Sequence, residues 1–90
     1  MTNERPTASD ILLEAEKIVT GSRQQTHGEK ERSFADAAAL WSAYKGVDFS
    51  PRDVAEMMIL LKIARAKSGT PIPDHFIDMA GYAGLAGEMA

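Results

Sequence analysis

The chain contains no cysteine, and that one absence removes disulfide bridges, thiolate zinc sites and cysteine nucleophiles together. Basic residues are outnumbered: ten Lys and Arg stand against thirteen Asp and Glu, for a net charge of -3. Broad, sequence-independent binding to nucleic acid draws most of its affinity from a basic face and is therefore disfavoured. No apolar run approaches the roughly 20 residues of a membrane span. The opening MTNERPTASD lacks the basic start and apolar stretch of a secretion signal. Period-two alternation long enough for a strand is missing too. These absences leave a soluble, cytoplasmic, helical chain as the expectation, with no membrane partner.

Ninety residues make one domain near the lower end of what folds alone, burying roughly 60–65% of the unfolded surface. Residues 1–8 are expected to form a flexible N-terminus, and Thr7-x-x-Asp10 at its end has capping-box spacing. A first helix, about 9–20, then carries Ile11, Leu12, Ala15, Ile18 and Val19 at helical spacing, and Gly21 stands where a left-handed glycine would end it. Ser33-x-x-Asp36 repeats the cap signal before a second helix, about 33–45, with Phe34, Ala37, Ala38, Trp41 and Tyr44 on one face. Ser50, Pro51 and Asp53 give the strongest helix start in the chain, opening a third helix over about 51–67. A fourth, about 74–88, follows the turn Thr70-Pro71-Ile72-Pro73-Asp74. The fold class is all-α, a compact four-helix domain with a long polar loop over 21–33.

That loop is the first functional candidate. Residues Thr20 to Ser33 include no hydrophobic side chain, and a structureless loop of this length in a small helical domain is usually functional or disordered. Arg23, Lys30 and Arg32 are basic, and His27 is an imidazole that titrates near neutrality. Together they can cover an anion site, or they can be a solvated connection.

The third helix is the second candidate. It is apolar nearly all round, the mark of a helix packed on several sides. Lys62 and Arg65 recur on one of its faces, and an antiparallel fourth helix would set Lys62 level with Asp78 and Arg65 near Asp74 and His75. Two readings follow. The pairs are structural salt bridges, or Lys62 and Arg65 hold a phosphate or carboxylate, with Asp78 orienting them and Tyr82 adding a hydroxyl. The fourth helix also carries three interior glycines, each unfavourable by about 0.8–1 kcal/mol relative to alanine. Close approach of a neighbouring helix, a second copy or a ligand would offset them, with tight helix packing favoured.

Across these segments the chain resembles a family of short phage and prophage proteins classed as a domain of unknown function. The residues that carry the likeness are Gly21-Ser22-Arg23, Gly28, Phe34, Ala38-Ala39-Leu40-Trp41-Ser42-Ala43-Tyr44, Asp53-Val54-Ala55, Lys62-Ile63-Ala64-Arg65 and Asp78-Met79-Ala80-Gly81-Tyr82. Ser22 and His27 depart from it, standing where the family often has Asp and Tyr. The likeness implies a phage-encoded protein acting in the host cytoplasm. More distantly, the Lys-x-x-Arg helix followed by Asp and Tyr is similar to phage nucleotide-modification-associated domains and to MazG-type all-α NTP pyrophosphohydrolases. Those enzymes hold Mg²⁺ with carboxylates from two helices. Here only Asp53-x-x-Glu56 has the spacing, in reversed order, so Asp53 and Glu56 are the metal candidates and Mg²⁺ the only cofactor in view.

Three functions follow in order. The first is binding of a nucleotide or other phosphate-bearing ligand between helices 3 and 4 under the loop, through Arg23, His27, Lys62, Arg65, Asp78 and Tyr82. The second is a non-catalytic interaction factor acting on a host or phage protein, with homo-oligomerisation open. The third is a Mg²⁺-dependent nucleotide pyrophosphohydrolase, and the incomplete carboxylate pattern weighs against an enzyme.

Overall fold

The computed structural model describes residues 5–21 and 27–90, with residues 27–31 as backbone only. Four helices and, among the described residues, no strand make up the chain: α1 (Ala8–Val19), α2 (His27–Lys45), α3 (Pro51–Ser68) and α4 (Pro73–Glu88). The all-α, four-helix reading holds. No helix among the described residues is long and apolar enough to cross a membrane.

Two of the helix starts form as their residues dictate. Thr7 accepts from the Asp10 amide through Oγ1 while the Asp10 carboxylate accepts from the Thr7 amide, which is a complete capping box. Ser50 and Asp53 build the same reciprocal pair before α3, with Pro51 at the first helical position. Gly21 (φ 83°) and Gly46 (φ 74°) adopt the left-handed backbone just past α1 and α2, where a side chain would be strained. Gly69 ends α3 differently, in an extended conformation with φ -129°.

The main departure is the length of the loop. α2 begins at His27, not near Ser33, so the second half of the expected polar loop is helix. Ser33 lies inside that helix and its Ser-x-x-Asp pattern caps nothing. The reason is propensity: Glu29, Lys30, Glu31 and Arg32 are strong helix formers, and polarity alone does not stop a helix that has no Gly or Pro to break it after residue 28.

α4 lies between α1 and α3, and α2 packs on α3. Gly81, Leu85 and Ala86 are the buried residues of α4, facing Ala15 of α1 and Val54 and Ala55 of α3 in a narrow core. The assembly measures 52 × 31 × 20 Å, so its thin dimension is about two helix diameters. Ser42 ties the α2–α3 connection by accepting from the Phe49 amide at 2.8 Å. Beside it the Trp41 and Phe49 rings meet edge to face at 6.1 Å, a favourable quadrupole geometry.

Candidate functional site

Lys62 stands six residues before the end of α3 and Asp78 five after the start of α4. An antiparallel pair brings such positions level, and the Lys62 Nζ to Asp78 Oδ2 distance is 2.8 Å. The ammonium-bearing side chain is only 13% exposed and the carboxylate 35%. A nearly covered cation needs this partner, because leaving it without one costs several times a surface ion pair. Asp78 is thus committed to Lys62 on one side and open on the other.

That open side borders a cleft of about 220 Å³ lined by Ile18 and Val19 of α1, Ser33 and Phe34 of α2, and Ile77, Asp78, Gly81, Tyr82 and Leu85 of α4. The cleft lies between α1, α2 and α4, and no residue of α3 lines it. Among the described residues its one charged lining residue is an acid, Asp78, whereas a phosphate pocket needs converging donors and positive charge. The Phe34 and Tyr82 rings pack at 6.2 Å along its wall. Gly81 borders it too, where a Cβ would lie 3.5 Å from Val19 Cγ1, an ordinary contact distance.

Arg65 does not join this group. It is exposed and makes no ion pair among the described residues. A step of three residues turns about 300° around a helix, which carries Arg65 off the face that holds Lys62 against α4. Arg23 lies outside the described residues, and His27 is described only as the backbone that opens α2. Asp53 is engaged in the α3 capping box, and Glu56 pairs with Arg52 at 3.3 Å. Among the described residues no three His, Cys, Asp or Glu side chains stand close enough to hold a metal ion.

What the residue pattern understated is the outer surface. Among the described residues the buried apolar side chains are Ala15, Ala38, Val54, Ala55, Leu85 and Ala86, and no large side chain is fully buried. Eleven large apolar side chains among the described residues are exposed instead. On α2 these are Leu40 at 69% and Tyr44 at 85%, with Val47 just beyond; on α3 they are Met57, Leu60, Leu61 and Ile63. The signal was in the sequence: α3 is apolar all round, but the chain supplies neighbours for only two of its sides. Gly84 and Gly87 follow suit, since a Cβ at either would meet nothing within 4 Å. At Gly81 a Cβ would make only an ordinary contact with Val19, so tight packing within the chain does not by itself account for any of the three.

A family model described as "Domain of unknown function (DUF6378)" matches residues 10–90. The "Gene 55 protein" of Mycobacterium phage L5 is 49% identical over 80 residues, covering 88% of this chain and 51% of the relative. The "Gene 55 protein" of Mycobacterium phage D29 is 44% identical over 77 residues, covering 86% and 51%. The chain spans about half the length of these curated relatives. No solved structure matches it.

Proposed function

The chain belongs to the DUF6378 family, described as a domain of unknown function, with relatives in mycobacteriophages, and from that premise we propose that it is a non-catalytic interaction protein that works inside a larger assembly. One observation carries this reading: large apolar side chains lie outside while mostly alanines lie inside. Monomeric soluble proteins expose scattered apolar residues, but contiguous apolar faces on neighbouring helices mark contact surfaces. Leu40 and Tyr44, one turn apart on α2, and Met57, Leu60 and Leu61 on α3 are such faces. Tyr44 is the natural anchor, an exposed aromatic ring with Lys45 Nζ 5.6 Å from its centroid.

The test is site-specific photo-crosslinking in cells that express the chain. A photoreactive residue at position 44 or 60 should give discrete adducts, and one at Glu14, on the exposed polar side of α1, should not. Equal or absent labelling at all three sites would end the reading.

The cleft supports a second reading, a small-molecule site. Its aromatic pair and the Asp78 carboxylate favour a flat group bearing hydrogen-bond donors, such as a nucleobase. Any phosphate would need cations from elsewhere, with Arg23, His27 and Arg65 as the candidates. In this reading a nucleoside raises the melting temperature, Asp78→Asn abolishes the rise, and inorganic phosphate alone has no effect. Mg²⁺-dependent pyrophosphohydrolysis has the least support, since Asp53 and Glu56 already serve a cap and an ion pair.

A further inference from the structure

We infer that the outer face of α3 pairs with the same face of a second copy of this chain, antiparallel, about a two-fold axis between Leu60 and Leu61. The inference rests on the interaction reading and names the partner for one of its two faces. It begins with spacing. Met57, Leu60, Leu61 and Ala64 fall at i, i+3, i+4 and i+7, a sector about 100° wide. Ala55 and Lys62, which pack on the rest of the chain, lie on the far side of the helix. The four outer residues are all exposed, Leu60 most of all at 62%.

The stripe is its own complement. With a two-fold axis between Leu60 and Leu61, Leu60 meets the partner's Leu60 and Leu61 the partner's Leu61 across the axis, while Met57 near the stripe's centre meets the partner's Ala64, large against small at both ends. A two-fold contact requires this self-matching of one patch.

Charge agrees with shape. In an antiparallel two-fold pair, like flanks of the two helices face each other. Glu56 and Lys67, both exposed, lie on the same flank, about 20° apart in projection. Glu56 therefore faces the partner's Lys67 with an axial offset of about 3 Å, and symmetry repeats the contact at the other end. Arg52, 3.3 Å from Glu56, holds that carboxylate in place from within its own chain. The Arg65 side chains lie on the opposite flank, about 13 Å apart along the axis, so no like charges collide.

α3 has 18 residues and is about 27 Å long, so one helix pair falls short of the roughly 800 Å² per partner of a standard interface. Association should therefore depend on concentration in the micromolar range. Sedimentation equilibrium of the purified chain tests it. The expected mass rises from 9.8 kDa towards twice that value with concentration. Leu60→Asp should abolish the rise while circular dichroism stays helical, because Leu60 faces solvent in the single chain. Lys67→Glu should weaken association roughly tenfold, and adding Glu56→Lys should restore most of it. A chain that stays monomeric at every concentration, a dimer indifferent to Leu60→Asp, or a charge swap that fails to restore pairing each overturns the proposal. A monomer that still gives adducts of higher mass at position 60 in cells would sink self-pairing and leave the interaction reading standing.

Discussion

The two ends of the Lys62–Asp78 pair are not equivalent, and mutation should reveal it. Asp78→Asn strips the counter-ion from an ammonium whose side chain is 13% exposed, a loss we expect to cost about 1–3 kcal/mol in urea denaturation. Lys62→Met leaves a carboxylate that water can still reach and adds an apolar side chain to a covered site, so it should cost under about 1 kcal/mol. Equal losses would show that the pair is hydrated as a unit. Gly84 gives a second residue-scale expectation. It is exposed in the interior of α4 with open space where a Cβ would be, so Gly84→Ala should stabilise the chain by about 0.8–1 kcal/mol. In a chain of this size that raises the melting temperature by several degrees. A decrease would mean that something packs against that backbone.

At the scale of elements, α3 depends on its cap. Ser50→Ala removes the acceptor for the Asp53 amide and should cost about 1 kcal/mol, read by the same denaturation curves. This is also where the sequence was most legible. Thr7 with Asp10 and Ser50 with Asp53 are local devices whose partners sit three residues away, so type and spacing suffice to find them. Ser33 with Asp36 has the same spacing and no capping role, because upstream residues continue the helix through it. The cap pattern is thus necessary to these helix starts but not sufficient. The level of Lys62 with Asp78 could be read because a short turn fixes the register of α3 and α4. Arg65 could not be placed by sharing a face in projection, since the crossing of α4 selects only part of that face. The cleft was not legible for a related reason: its walls come from α1, α2 and α4, and no local signal says which non-consecutive helices will meet.

At the scale of the molecule, the six buried apolar side chains among the described residues show what the apolar fraction of the composition could not. Forty-four per cent hydrophobic residues is ample for a core, but a slab of four helices has too little inside to hold it. The surplus has to face outward. If the α3 face is paired in solution, the melting temperature should rise with protein concentration, as it must when only the folded state associates. Leu60→Asp should remove that dependence.

A thickness of 20 Å also has a meaning in time. No backbone amide lies far from water, and small local openings reach every hydrogen bond of the single chain. Amide deuterium uptake should therefore lack the very slow class that thicker domains show, with α3 and α4 exchanging within a narrow range of lifetimes. Raising the protein concentration should lengthen the lifetimes along Met57 to Ala64 before any others, so that the clock of exchange reports on the missing half of the core.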